Sequence, residues 1–294
     1  MRICLMIEGQ EGQTWEEWQA LAQACEEHGL EGLFRSDHYG SLLGPGRAAL
    51  DAWATLAALA AQTTRIRLGT LVSPATFRHP SVLAKLAATV DHVSGGRVEL
   101  GLGAGWNEEE HRRHGFEFPE LPVRLERFQE QLEIVRRSWS EDEFDFNGRH
   151  YRLEGCRALP KPLQQHLIVG GGGKRGTLEP ARRFADEYNA PFVSPERVGE
   201  IRQRWDKTLS VMTGCIVGAD RADLLDRVRR VLARMERGGD PEAFVEESRG
   251  SWVIGTLDEA RARIAEYEAA GVERMMLQHL DHADLDAVAL MAEL

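Results

Sequence analysis

Cysteine is scarce in this chain, with four in 294 residues: Cys4, Cys25, Cys156 and Cys215. None forms a Cys-x-x-Cys pair or a Cys/His cluster with metal-ligand spacing, so neither a disulfide framework nor a metal site has support. The thiols read as reduced, mostly core residues. Long apolar runs are also missing. The N-terminal stretch Met1–Ile7 is apolar but stops at Glu8, too short for a signal peptide. No run approaches the roughly 20 apolar residues of a membrane span, and the expectation is a cytoplasmic protein. Positive charge is in deficit: 36 Lys and Arg stand against 47 Asp and Glu, a formal net charge of -11. Such a balance speaks against nonspecific binding to nucleic acid or to an anionic membrane. It leaves a small anionic ligand open, because local charge decides that.

Several catalytic signatures are absent as well. No Gly-x-Ser-x-Gly elbow, Walker A loop or His-Glu-x-x-His pair occurs. The turn after the first apolar run, Glu8-Gly9-Gln10-Glu11-Gly12, lacks the glycine spacing of a dinucleotide-binding crossover. There is no internal repeat, low-complexity segment or linker, and residues 1–294 read as one domain.

What is present is alternation. Short apolar runs at Arg2–Ile7, Gly32–Ser36, Ile66–Val72, Val98–Gly103, His166–Val169, Asp186–Ala190, Val211–Val217 and Met275–Gln278 are separated by longer amphipathic segments. That pattern is the signature of βα units around a parallel sheet. Eight such strands favour a closed (β/α)8 barrel, whose usual length of about 250 residues fits this chain with insertions. Thr14 and Glu17 form a capping box for the first helix, and Gly29 closes it. The third helix is expected to present Val82, Leu86, Val90 and Val93 on its packed face. Asp145–Arg149 reads as a hairpin excursion. The Glu-, His- and Arg-rich stretch after Asn107, with Glu108–Glu110, His111 and His114, reads as a solvated charged face. Glu236–Arg249 reads as a surface excursion.

Barrel enzymes place their chemistry at the C-terminal ends of the strands, so the residues that follow each run are the candidates. After the second run, Asp37 could orient an imidazole and His38 could carry a proton near neutral pH; a loop histidine beside a turn aspartate is the alternative. After the third come Leu71, Val72 and Ser73, where backbone could wedge against a flat ring. After the fourth, Gly103-Ala104-Gly105-Trp106 lets backbone approach a ligand, with Trp106 able to stack on it. After the fifth, Gly170, Gly171, Gly172 and Gly173 run into Lys174, Arg175 and Thr177. Backbone amides at a helix start reinforced by two cations can make an anion site; a plain flexible turn is the alternative.

In order along the chain, Ser36-Asp37-His38, Arg67–Val72, Phe77–Pro80, Ser94–Trp106, Asp145–Arg152, Val169–Gly173, Ala185–Asn189 and Gly255–Glu259 resemble the luciferase-like monooxygenase superfamily. Within it they resemble the branch that depends on the deazaflavin coenzyme F420. The resemblance covers nearly the whole chain. It implies a TIM barrel with an isoalloxazine-like ring at its mouth, and His38 near the ring's redox centre. It further implies a non-prolyl cis peptide at Leu71-Val72 backing the ring. The cofactor phosphate would lie on Gly171, Gly172, Gly173, Arg175 and Thr177. Arg78, Arg112, Arg113 and Lys174 are candidates to meet a longer anionic tail. A homodimer acting on a small organic substrate is expected. FMN is the alternative cofactor, and a non-catalytic flavin-binding protein is the alternative role.

Overall fold

A computed structural model describes residues 1–294. In chain order the elements are β1 (Arg2–Ile7), α1 (Trp15–His28), β2 (Gly32–Arg35), α2 (Ala52–Gln62), β3 (Arg67–Thr70), β4 (Ser73–Pro74), α3 (Pro80–Ser94) and β5 (Val98–Gly103). Then follow α4 (Glu108–His114), α5 (Leu121–Ser140), β6 (Phe144–Asn147), β7 (Arg152–Cys156), β8 (Leu167–Gly170), α6 (Arg175–Phe184) and β9 (Glu187–Pro191). The last are α7 (Pro195–Arg202), β10 (Thr208–Gly218), α8 (Arg221–Arg234), α9 (Pro241–Ser248), β11 (Val253–Thr256), α10 (Leu257–Ala269), β12 (Arg274–Gln278) and α11 (Leu285–Ala292).

Strands β1, β2, β3, β5, β8, β9, β10 and β12 pair in parallel, and β12 returns to β1, so the sheet closes. This is the expected (β/α)8 barrel. The third apolar run is not one strand: it breaks between β3 and β4 at a cis peptide between Leu71 and Val72. β6 and β7 form the expected antiparallel hairpin outside the barrel. The stretch read as a surface excursion contains α9, which tucks Phe244 and Val245 into a small satellite core with α8 and β11.

The main core of 52 buried residues lies between the barrel and its helices. α1 shows how the sequence builds that layer. Thr14 and Glu17 cap it reciprocally, Gly29 ends it in the left-handed region, and Trp18, Ala22 and Cys25 face inward. The expected face of α3 is corrected. Val82 and Val93 are 51% and 48% exposed, whereas Leu83, Ala84, Ala87 and Ala88 are buried with Val90. The alanine-rich side lets α3 approach α2 and α5 closely, and that outweighs the larger apolar area of the valines.

Inside the barrel, side chains alternate with a period of two. β12 shows the layering: Arg274, Met276 and Gln278 point inward, while Met275 and Leu277 join the outer core. Arg274 belongs to a charged floor and Met276 to a middle layer with Cys4, Met6, Phe34, Leu71 and Ile168. Gln278 reaches the mouth.

Candidate active site

The C-terminal mouth encloses a cavity of about 650 Å³. Its floor is Leu71-Val72. Val72 can sit there because three neighbouring strand positions carry no side chain. A Cβ on Gly101, Gly103 or Gly170 would lie 3.2, 2.6 or 2.8 Å from a Val72 methyl. The glycines of β5 and β8 are thus a socket for one valine. Ser73, just beyond, turns away from the cavity: its hydroxyl donates to Asp37 (2.6 Å) and accepts from the indole N–H of Trp53 (3.2 Å).

His38 lines the cavity, and its Nδ1 lies 2.7 Å from Oε2 of Glu110. Asp37 does not touch the imidazole. The two guanidinium nitrogens of Arg78 donate to its two oxygens at 2.5 and 3.1 Å, and Ser73 completes its shell. This corrects two expectations at once. Asp37 is a buried counter-ion, and Arg78, bound to Asp37 and Asp51, is not a free rim cation. The orienting carboxylate is Glu110 of α4, which also accepts the backbone N–H of Tyr39 at 2.6 Å. The solvated face expected for that stretch holds for Arg112 and Arg113 but not for Glu110 and His111, which are 4% and 0% exposed. His111 bonds the Thr76 hydroxyl (2.6 Å) and packs on Phe77 and Phe118.

Burial disfavours a charged imidazole at His38. The hydrogen bond and charge of Glu110, helped by Glu8 and Asp37, outweigh it and raise the His38 pKa above its ordinary value. Burial would likewise raise the Glu110 carboxyl, but His38 and the Tyr39 and Gly40 amides pull it below the usual range. The two shifts have one cause: the carboxylate favours an added proton on the His38 ring, and the ring favours the ionised carboxylate. Trp106 meets His38 edge-on, with ring centroids 5.8 Å apart, and is 65% exposed at the rim.

On the opposite wall stand Gly170, Gly171 and Thr177. The Thr177 hydroxyl is 2.8 Å from the phenol of Tyr188, which also accepts the Gly173 N–H at 3.0 Å. A Cβ on Gly171 would lie 2.5 Å from Thr177 and 2.7 Å from Tyr188. Gly172, Gly173 and Arg175 lie beyond the cavity wall on the turn and at the first position of α6. Gly172 and Arg175 are exposed. Two cations that the sequence reading missed reach this turn from outside. Arg197 donates to the Gly172 carbonyl and Arg204 to the Gly173 carbonyl, both at 3.3 Å. A polar belt on the β1 side was also missed. There Ser36 donates to Gln10 (2.6 Å), while Glu8 accepts from Gln10 (2.9 Å) and Gln278 (2.6 Å).

Residues 2–274 match the luciferase-like monooxygenase family, and the chain belongs to it. An F420-dependent glucose-6-phosphate dehydrogenase of Nocardia farcinica is 33% identical over 233 residues, covering 78% of this chain and 67% of that one. Mycobacterial relatives of no stated function, 38% identical over 143 residues, are matched over only about half their length (49%). Among solved structures, the monooxygenase RslO1 from Streptomyces bottropensis superposes with a TM-score of 0.84 at 23% identity, covering 100% and 97% of the two chains. An F420-dependent secondary alcohol dehydrogenase superposes at 0.82 and 18%, covering 99% and 97%. At those identities the superpositions establish the fold. The named relatives thus include a dehydrogenase and a monooxygenase.

Proposed function

We propose that the chain moves hydride between the deazaflavin coenzyme F420 and a small organic substrate, with His38 handling the accompanying proton. The observation that carries this reading is the His38–Glu110 pair on the wall of a deep cavity whose floor is the bare backbone and valine of Leu71-Val72.

The residues fit a flat ring with a phosphorylated tail. The floor is apolar and broad because Gly101, Gly103 and Gly170 let Val72 lie flush. The tail would lie along Gly170, Gly171, Gly172, Gly173 and Thr177, where the Gly172 amide and the Arg175 and Gly176 amides that open α6 make no hydrogen bond within the chain and favour an anion. Arg175 stands at that helix start, with Arg197 and Arg204 close by. A bound deazaflavin supplies the carbon that gives or takes hydride. His38 supplies the rest. With Nδ1 committed to Glu110, its Nε2 remains to receive the proton of an oxidised hydroxyl, or to return it in the reverse direction. Glu110 fixes the ring's tautomer and orientation, and Trp106 shields its edge.

The relative from Nocardia farcinica supports F420 over FMN. An FMN-dependent monooxygenase is the competing reading, since the same floor and turn would hold either ring. Equilibrium titration of purified protein with both cofactors separates them. Tighter F420 binding, with no oxygen consumed on reduction, is expected; tighter FMN binding with oxygen uptake would reverse the choice.

A further inference from the structure

With the Gly170–Thr177 turn assigned to the cofactor's phosphate, a phosphate or carboxylate on the substrate would need a cation elsewhere on the cavity wall. The cavity has no Lys or Arg among its lining residues, and its one basic side chain, His38, is already paired with Glu110. Two carboxylates line it instead. Glu11 is spent on the chain itself: it takes the Leu42 amide (2.8 Å) and the Ser41 hydroxyl (2.6 Å), with Arg47 behind it at 3.7 Å. Glu8 differs. Its oxygens are held by the neutral side-chain amides of Gln10 and Gln278, and it makes no salt bridge; the positive groups it acts on, Arg35 and a protonated His38, are engaged elsewhere. Those amides are themselves fixed, Gln10 by Ser36 and Gln278 by its place on β12, so the carboxylate stands at a set position on the wall.

The surroundings are apolar. Trp252, Met212 and Leu280 line the interior. At the rim, Trp106, Phe192 and Leu42 are 65%, 44% and 42% exposed and carry the apolar wall of the cavity outward. Such a wall gains by covering an apolar body, and a fixed carboxylate that makes no salt bridge repels an anion while attracting a donor.

We infer that the substrate is an apolar organic molecule, uncharged or cationic, that presents an O–H or N–H donor to Glu8, and that sugar phosphates and carboxylates are excluded. That the occupant is a substrate rests on the oxidoreductase reading above; its charge and polarity rest on the cavity wall alone.

The test uses four probes: 2-phenylethylamine, 2-phenylethanol, 3-phenylpropanoate and glucose 6-phosphate. Each is titrated calorimetrically into the chain saturated with F420 and into the chain alone. The amine and the alcohol should bind, and the two anions should bind at least about tenfold more weakly than the amine, the scale of an unfavourable charge placed in a partly dry site. The preference should shrink with added salt, a readout that needs no variant. Glu8→Gln should erase the amine-over-propanoate preference and Glu8→Lys should invert it, with F420 affinity unchanged in both. Anions binding as tightly as the amine, or a preference untouched by Glu8→Lys, overturns the inference while leaving the cofactor reading in place. Failure to bind F420, with the charge preference intact in the bare chain, does the reverse.

Discussion

The two ends of the barrel solve the same problem in opposite ways. Both bury charge, the floor on inward-facing strand residues and the mouth on the loops and the helix that follow strands. At the floor, Arg274 is fully buried, with one guanidinium nitrogen 2.6 Å from Glu99 and 3.1 Å from Glu187, and its Nε 2.8 Å from Glu31. Arg67 pairs with Glu99, and His166 lies 3.1 Å from Glu187. Burial would raise the Glu99 carboxyl, yet Arg274, His166 and Arg67 bring it down to about 2. Burial pushes the neighbouring Cys4 thiol up to about 12. Carboxylate and imidazole donors of metal-binding type meet here in Glu99, His166 and Glu187, but Arg274 already supplies the positive charge. At the mouth, His38 has Glu110 as its partner on one side and the cavity on the other. Charge that is closed on itself specifies the fold, whereas charge left open toward a cavity is available for chemistry.

The largest expected effect attacks the closed end. Arg274→Met leaves Glu99 and Glu187 buried without their shared cation and should cost about 3–5 kcal/mol, read by denaturant unfolding. A loss under 1 kcal/mol would show that the floor is not a closed network. Cofactor affinity of the molecules that remain folded should not change.

The open end should respond the other way. His38→Ala should lower turnover about 10²–10⁴-fold while costing less unfolding stability than Arg274→Met. If cofactor affinity collapses with turnover and the residual activity keeps the parental pH profile, His38 only packs beside the ring.

Gly172→Leu sharpens the comparison within the mouth. A Cβ there meets nothing within 4 Å, so the fold should stand, while affinity for a phosphorylated cofactor should fall at least about tenfold if the tail uses this turn. Unchanged affinity in the folded variant removes the turn from the site.

The smallest effect is on stability. The raised His38 pKa means that the pair's contribution is fully present below the ordinary imidazole value, near 6.5, and is lost as pH rises through the folded value. The lowered Glu110 pKa means that it is also lost at acid pH, as pH falls through that group's folded value. The stability difference between parent and Glu110→Gln should therefore peak at mildly acidic pH and shrink on either side. It should be on the order of 1–2 kcal/mol, above an exposed pair because the side chains are only 11% and 3% exposed, and below a closed buried pair because His38 faces the cavity. A difference flat across that range would mean that the pair is not ionic.

The barrel was legible because eight apolar runs and their caps repeat a simple pattern. His38, Leu71-Val72 and the Gly170–Gly173 turn were legible because barrel mouths follow strand ends. Glu110 was not. Its helix has seven residues, too few for periodicity to separate a buried face within Glu-Glu-Glu-His-Arg-Arg-His. The one local signal was the cap Asn107, which fixes the turn that aims Glu110 inward. The floor was hidden because its charges come from separate strands. Glu99 stands alone in an apolar strand, the sign of an inward-facing partner elsewhere, but Glu187 and Arg274 open their strands directly after Asp186 and Glu273, and nothing local tells the inward charge from the outward one. Asp37 was assigned by adjacency, but consecutive residues leave the backbone in different directions, and Arg78 was the nearer charge in space.

The central claim is that Glu110 holds His38 ready to handle a proton. The direct measurement is the pH dependence of single-turnover hydride transfer with F420 bound, in the parent and in Glu110→Gln. The account predicts that the parental profile reports a group titrating above the ordinary imidazole range. In Glu110→Gln the same transition should move to lower pH with a slower plateau, because burial is then no longer offset by the carboxylate. A variant whose transition stays at the parental pH, with the parental plateau, would contradict it.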